Sequence, residues 1–234
     1  MKTLLPFIAL LLITLESCKH CEHGVHEDAT KYFSESGFTE IDAGGNFNVK
    51  IVQGDSYAIE ARTEERLLSH VDMKRRGDKL IMEVHGWHVN NCSKKIQVTV
   101  TMPELKGIQS SGGSYFYSEQ ELHGSNLKID ASGGSQVDLD INYAVVNLEG
   151  SGGSKMDLNG TGSDLNIKMS GGSRMELFDL NATICDVDAS GGSHAEVSVS
   201  TDLSVDLSGG SKVLYKGTPG VHVKTTGGSS VEKQ

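Results

Sequence analysis

Residues Asp130 to Asp140 read DASGGSQVDLD, and this stretch carries a four-residue motif, Ser-Gly-Gly-Ser, that begins at Ser132. The motif recurs along the second half of the chain, and its seven copies, the last led by threonine, begin at Ser111, Ser132, Ser151, Ser170, Ser190, Ser208 and Thr226. Successive copies are separated by 21, 19, 19, 20, 18 and 18 residues. Self-similarity at a period of this size is typical of a solenoid.

Apolar and polar residues alternate on both sides of the motif. In the opening stretch, Leu127, Ile129 and Ala131 lie at odd offsets before the leading serine, and Val137 and Leu139 lie at even offsets after the closing serine. Other copies repeat the arrangement with Met, Ile, Val, Ala and Cys. Period-two alternation indicates half-buried strands, so we predict a strand on each side of every motif.

A two-residue hairpin is the simplest connection that Gly-Gly makes between strands. In such a hairpin the two serines would pair, and Ile129 would share a face of the sheet with Asp138. The corner of a solenoid avoids this conflict, because the strands before and after it pair with the rungs above and below. Glycine supplies the backbone angles of a sharp corner, and we expect the serine hydroxyls to cap loose amides there. The sequence therefore predicts an all-β fold, a parallel β-helix or β-solenoid with rungs of about 19 residues that turn at Ser-Gly-Gly-Ser.

The outward residues form two columns in this arrangement. The column one residue after each closing serine is partly basic and contains Tyr115, Gln136, Lys155, Arg174, His194, Lys212 and Ser230. The column three residues after it is mostly acidic and contains Tyr117, Asp138, Asp157, Glu176, Glu196, Leu214 and Glu232. We interpret the two columns as surface charges that keep the protein soluble and fix the register between rungs. Each surface ion pair contributes about 0–1 kcal/mol. A site for Ca²⁺ or a cationic polymer on the acidic column is the alternative.

The segment before the motifs is also predicted to be β structure. The stretches FTEIDA, FNVKIV, YAIEAR, KLIMEV and KIQVTVTM all alternate, and Gln53-Gly54-Asp55 and Arg76-Gly77-Asp78 fit turns between them. A short helix or loop is expected from Glu64 to His70. We assign residues 37–107 to opening β coils and a cap, and residues 108–234 to the Ser-Gly-Gly-Ser solenoid, whose end rungs would otherwise present an unpaired edge.

Four features occur together along the chain: Phe38-x-x-Ile41-x-Ala43-Gly44, the run from Val49 to Asp55, Val100-x-Met102-Pro103-x-Leu105, and the Ser-Gly-Gly-Ser rungs. Together they resemble the head GIN domain family of adhesin-type envelope proteins. The resemblance extends over roughly Phe38 to Lys233. It implies a right-handed parallel β-helix and an adhesin-like function, and it brings no catalytic residues.

The first residues of the chain are typical of an export signal. Lys2 supplies a positive start, an apolar run covers Leu4 to Leu15, and the run is too short for a membrane-spanning helix. The Leu-x-small-Cys ending resembles a bacterial lipoprotein cleavage box, which implies a signal peptide over residues 1–17 and lipidation of Cys18. Several acyl chains hold a protein stably on a membrane. Residues 18–36 lack a sustained period and are predicted to be a flexible tether.

The formal net charge of −10 argues against nucleic acid as a partner, because binding phosphates requires a surplus of Lys and Arg on one face. Once Cys18 is lipidated, Cys21, Cys92 and Cys185 remain, an odd number that implies no disulfide framework; which of them pair is left open. Cys185 lies at an apolar position of the pattern, which favours a buried free thiol.

Metal-capable residues occur at two places. His85, His88 and Cys92 lie within eight residues of one another, but in a strand the two histidines would point to opposite faces, so convergence requires a loop. His20, Cys21, His23 and His26 lie in the predicted tether. We assign no metal site and no cofactor to either place.

The sequence favours a lipid-anchored β-solenoid of the cell envelope, on the outer membrane of a bacterium, that acts as a non-catalytic, adhesin-like binding or display scaffold. Its expected partners are the membrane, through the lipid on Cys18, and a glycan or an envelope protein. We assign no catalytic residue, because the chain lacks a Gly-x-Ser-x-Gly elbow, a His-Glu-x-x-His motif and a phosphate loop. A polysaccharide-active enzyme on the same fold and an envelope metal-binding protein using His85, His88 and Cys92 are the alternatives.

Overall fold

The computed structural model describes residues 28–86 and 94–234. Its one helix is α1 (Glu65–Leu68). Its strands are β1 (Asp28–Phe33), β2 (Glu40–Gly45), β3 (Phe47–Gln53), β4 (Ala58–Glu64), β5 (Val71–Arg76), β6 (Lys79–Val84), β7 (Ile96–Met102), β8 (Gly107–Gly112), β9 (Tyr115–Ser118), β10 (Leu122–Ala131), β11 (Gln136–Gly150), β12 (Lys155–Met169), β13 (Arg174–Ala189), β14 (His194–Leu207), β15 (Lys212–Lys216), β16 (Gly220–Thr225) and β17 (Ser230–Lys233). Within these residues no helix has the length and apolarity that a membrane crossing requires.

The strands on either side of each Ser-Gly-Gly-Ser motif bond to the rungs above and below, and the predicted β-solenoid is confirmed. Ala131, before a corner, pairs in parallel with Gly150 one rung on, and Gln136, after the same corner, pairs in parallel with Lys155. The strand segments before the corners form one sheet, the pre-corner sheet, and those after the corners form the post-corner sheet. A hairpin at the motif is thereby excluded.

The first glycine of each motif stacks directly on the first glycine of the rung below. Gly152 has a φ of 66°, in the left-handed region that favours glycine. A Cβ on this residue would lie 3.2 Å from the nitrogen and 3.3 Å from the oxygen of Gly133. The second glycine donates its N–H to the same ladder, as Gly153 does to the oxygen of Gly133 at 2.8 Å. The first glycine is required because the backbones of successive corners touch there, whereas a Cβ on the second, Gly153, would make only an ordinary contact at 3.5 Å.

The closing serines are buried except Ser229 in the last copy, and their hydroxyls do not cap amides as expected. The Ser193 hydroxyl donates to the carbonyl of the leading Ser190 at 2.8 Å, and the Ser135 hydroxyl makes the same bond to Ser132, also at 2.8 Å. The expectation was wrong because the corner amides already bond to the rung below, as the N–H of Gly134 does to the oxygen of Gly112 at 2.9 Å, whereas the leading serine carbonyl points inward. An inward column of hydroxyls thus closes every corner except that of Ser154, whose hydroxyl has no partner.

The core is a set of apolar columns along the solenoid axis. The inward residues before the corner include Ile129, Leu148 and Ile167, which succeed one another from rung to rung and are buried. Cys185 is fully buried in this core as a free thiol, as the sequence predicts.

The first layers of the solenoid are interleaved. The layer of β2 and β3 lies between the layer of β6 and β7 and the layer of β8 and β9, because β2 pairs with both β6 and β8, and β3 pairs with both β7 and β9. Gly45, with a φ of 116°, aligns with Gly112 and accepts the N–H of Gly113 at 3.0 Å. The glycine ladder therefore begins one layer before Ser111, at a corner that contains no serine.

Antiparallel strands and α1 cover the first end of the stack. β4 pairs antiparallel with β7, β1 pairs antiparallel with β4, and β5 pairs antiparallel with β6. Leu67 and Leu68 of α1 are buried at this end, which agrees with the expected helix or loop in this segment. Arg76-Gly77-Asp78 forms the turn between β5 and β6.

The predicted tether is wrong over its second half. Asp28–Phe33 forms β1, where Ala29 and Phe33 pack against the core and the Lys31 ammonium donates to the carbonyl of Val71 at 3.2 Å. With only two half-buried apolar residues, the strand shows too little alternation to be recognised in the sequence.

Candidate functional site: an axial trench beside the corner

A trench runs along the solenoid axis on the pre-corner sheet, next to the corners. Its volume is about 480 Å³. One wall is the outward column two residues before each leading serine: Asp42, Gln109, Asp130, Glu149, Lys168 and Asp188. Since adjacent strands lie about 4.8 Å apart, this wall is about 24 Å long.

The other wall consists of the leading serines Ser111, Ser132, Ser151 and Ser170. Among the described residues, the hydroxyls of Ser132, Ser151 and Ser170 have no side-chain hydrogen-bond partner. Hydroxyls in this position can both donate and accept hydrogen bonds. The trench therefore offers a row of hydroxyls facing a row of charged groups, repeated once per rung.

Carboxylates dominate the charged wall. Burial raises the pKa of Asp42, and Lys79 opposes this shift. One carboxylate oxygen of Asp130 is buried without a hydrogen-bond partner. Lys168 forms no ion pair with any residue in the described portion of the chain, so the wall also presents one unneutralised ammonium. The trench suits an extended, polar and uncharged or cationic chain.

The two outward columns of the post-corner sheet occur as the sequence predicts. Gln136, Lys155 and Arg174 align from rung to rung, and so do Asp138, Asp157 and Glu176. Ion pairs join the columns: Lys155 to Glu176 at 2.7 Å, Arg174 to Glu176 at 2.6 Å, Arg174 to Glu196 at 3.3 Å and Lys212 to Glu232 at 2.9 Å. Arg174 and Glu176 lie on the same rung, and the other three pairs connect successive rungs, which supports the interpretation that the columns serve solubility and register. No group of three or more described His, Cys, Asp or Glu residues could hold a metal ion.

The first copy differs from the others, because tyrosines replace the charged residues. The rings of Tyr115 and Tyr117 stack with centroids 5.3 Å apart, and the Tyr115 hydroxyl donates to Asp138 at 3.1 Å. Burial and the neighbouring Asp138 carboxylate raise the pKa of Tyr115 to about 12. The pair forms a half-exposed aromatic ridge at one end of the charged columns.

Most of the other candidate residues lie outside the described residues. These are Cys18, Cys21, His20, His23, His26, His88 and Cys92. His85 is described, and its Nε2 lies 3.4 Å from an oxygen of Asp72 and 3.8 Å from one of Glu83. Convergence of His85 with His88 and Cys92 stays untested, and so does lipidation of Cys18.

The repetitive corners, the axial trench and the charged columns define the chain as a β-solenoid protein with long polar surfaces. The chain belongs to the family described as "Putative auto-transporter adhesin, head GIN domain", whose model matches residues 37–219. The resemblance seen in the sequence is thereby confirmed. No curated protein matches the chain.

Solved structures from Bacteroides and Parabacteroides species share the fold. A crystal structure described as a putative adhesin from Bacteroides fragilis is 20% identical with a TM-score of 0.83, and the match covers 89% of this chain and 97% of that one. One described as a putative adhesin from Parabacteroides merdae is 21% identical with a TM-score of 0.71, covering 90% and 98%. One described as a putative lipid binding protein from Parabacteroides distasonis is 17% identical with a TM-score of 0.73, covering 90% and 98%. At these identities the similarity shows the fold alone.

Proposed function

We propose that the protein is a lipid-anchored, non-catalytic, adhesin-like scaffold of the cell envelope, and that its axial trench binds an extended glycan. The observation that carries the proposal is the trench itself, in which hydroxyls repeat once per rung beside a polar wall made mostly of carboxylates. Weak contacts repeated at the strand spacing would add along one polymer chain. Family membership supports the adhesin-like role.

A matched pair of substitutions tests the trench. Ser151→Trp would fill it with an indole at mid-length, whereas Ser204→Trp adds the same side chain to the same sheet outside the trench. The chain without residues 1–17 keeps every described strand and is suited to a glycan array followed by biolayer interferometry with the best polysaccharide. We expect Ser151→Trp to weaken binding at least about tenfold, equivalent to about 1.4 kcal/mol, and Ser204→Trp to leave it unchanged. Equal effects would refute the trench as the site, and no glycan binding by the parent chain would refute the glycan.

The anchor and the location belong to the same proposal. They are supported by the signal-like residues 1–17, by the lipobox-like ending at Cys18, and by a family whose description places it among adhesins. Cys18→Ala is expected to abolish incorporation of labelled fatty acid and to shift the protein from the membrane to the soluble fraction. Unchanged partitioning would contradict lipidation.

One observation keeps the enzyme alternative open to a test. Asp42 and Asp130 lie on the same trench wall two rungs apart, about 10 Å by strand spacing, and burial raises the pKa of Asp42 as a general acid requires. Glycosidases place paired carboxyls roughly 5–10 Å apart. If the protein cleaves the polysaccharide that it binds, new reducing ends appear and Asp42→Asn abolishes them. We expect no reducing ends from either protein.

A further inference from the structure

The two ends of the solenoid differ. At the first end, β1, β5 and α1 cover the core. At the other end, β16 pairs with β14 and β17 pairs with β15, and no described strand pairs with their outer edges. The second end is therefore an open rung.

The apolar core continues into this open rung without a cover. Val221 aligns with Leu203, and Val223 aligns with Val205. The exposed fraction rises from 0% at Leu203 to 37% at Val221, and from 3% at Val205 to 49% at Val223. Two residues that continue core columns thus face solvent at the end of the stack.

The backbone of the open rung also has unused hydrogen-bonding groups. The N–H groups of Ser230 and Gln234 bond back to Ser211 and Tyr215 at 3.0 and 2.9 Å. Successive residues of a strand inside a sheet bond to opposite neighbours, so Val231 and Lys233 direct their N–H and C=O groups toward the open side. Edges of this kind favour pairing with another chain.

We propose that the open end binds the open end of a second copy of this chain, in a closed two-fold dimer. A partner must supply two strand edges and, between them, an apolar core of matching width. A single donated strand would cover one edge and leave the valines exposed, whereas a second solenoid end satisfies all three requirements. The first end offers no open core, because β1, β5 and α1 cover it, so the proposed contact is open end to open end and closes without extending into a filament.

The charges at the open end permit this approach. The net charge of −10 would oppose association of two whole molecules. At the end itself, Lys224 pairs with Asp206 at 2.5 Å, and Lys212 pairs with Glu232 at 2.9 Å. These two cations are neutralised within their own chain. Lys233 follows Val197 and Tyr215 in a core column, is exposed and has no ion-pair partner among the described residues, so its ammonium must reach solvent at the rim of the junction. Strands that meet across such a two-fold axis run antiparallel.

Sedimentation velocity of the chain from residue 18, with Cys18→Ser to remove the lipid, tests the proposal. We expect a concentration-dependent monomer–dimer equilibrium. Val223→Lys puts an ammonium into the junction and should raise the dimer dissociation constant by more than about tenfold, because an unpaired buried charge is costly. Ile184→Lys is the matched control, since Ile184 is 43% exposed on the side of the solenoid and should leave the equilibrium unchanged. A dimer that survives Val223→Lys would overturn the proposal.

Spin labels distinguish the ends. With Cys21 and Cys92 changed to serine, a nitroxide on a cysteine replacing Lys224, at the open end, should give a much shorter distance between the two copies than one replacing Arg76, in the turn at the covered end. The reverse order would overturn the proposed geometry. A protein that stays monomeric at all concentrations would overturn the dimer, whether the edge is left bare or is covered by residues 18–27.

Discussion

Replacing the first glycine of a corner with alanine tests the stacking of the rungs directly. At Gly191 the φ is 78°, and a Cβ would lie 2.7 Å from the oxygen and 3.0 Å from the nitrogen of Gly171. At the adjacent Gly192 no positive φ occurs, and a Cβ would have its nearest contact at 3.8 Å, with the oxygen of Gly171. The two substitutions change the same atoms at neighbouring positions, so Gly192→Ala is the matched control.

The expected cost of Gly191→Ala has two components. A non-glycine residue in the left-handed conformation costs about 1–2 kcal/mol. Forcing a methyl group against a stacked backbone adds about 1–3 kcal/mol of overpacking. We therefore expect the free energy of unfolding to fall by about 2–5 kcal/mol, whereas Gly192→Ala should change it by less than about 1 kcal/mol in either direction.

Urea unfolding followed by far-UV circular dichroism measures the difference. With a slope of about 2–3 kcal/mol per molar urea, Gly191→Ala should lower the midpoint by about 1–2 M. A midpoint within about 0.2 M of the parent value for Gly191→Ala would show that successive corners are not in contact. Equal losses for both alanines would show that the cost does not come from the stacking.

Three further measurements probe other regions of the structure. Ser193→Ala removes a buried hydroxyl that donates to Ser190 and should lower the free energy of unfolding by about 1 kcal/mol in the same urea assay. Ser154→Ala removes a buried hydroxyl without a partner and should leave the free energy of unfolding unchanged or raise it. The opposite order would contradict the assigned hydrogen bonds. Burial and the neighbouring Asp138 raise the pKa of Asp157, so the charged form destabilises the folded state at neutral pH, and stability rises as the pH falls through the raised pKa. Asp157→Asn should therefore raise the urea midpoint at pH 7 and lose this gain near pH 4. A gain that grows on acidification would refute the sign of the effect. Burial raises the pKa of the Cys185 thiol, so iodoacetamide should label this cysteine only after the chain is unfolded. Peptide mass spectrometry measures the labelling, and a labelled Cys185 in the folded chain would contradict its burial.

The repeat allowed most of the solenoid to be predicted from the sequence. Offsets counted from each motif identified the buried columns and the outward columns, because a strand alternates strictly and the corners restart the count on every rung. The unequal spacing of the motifs did not disturb the assignment of buried and outward residues. In the longer rung, Asp157 pairs with Glu176 while Gly160 pairs with Leu180, so the extra residue is absorbed in a bulge far from the corner.

The features that the sequence did not reveal depend on contacts between distant segments. The corner at Gly45 has Phe47 where later copies have the closing serine, so it carries no motif. The trench was also missed, although Asp130 and Glu149 are visible in the pattern. A column of outward residues reads the same on a flat sheet and on a concave one, and only the fold shows that it faces a row of free hydroxyls.

The interleaved layers at the first end divide the molecule into two kinds of architecture. Rungs from β11 onward follow one another in chain order, so insertion or deletion of one rung lengthens or shortens this region by a whole turn. The layer of β2 and β3 is different, because its neighbours on both sides come from later in the chain. Deleting it would leave a gap in the middle of the stack rather than a shorter protein. Residues 28–86 and 94–118 therefore form a unit that cannot be shortened by whole turns, whereas the rungs from β11 onward can be added or removed one at a time.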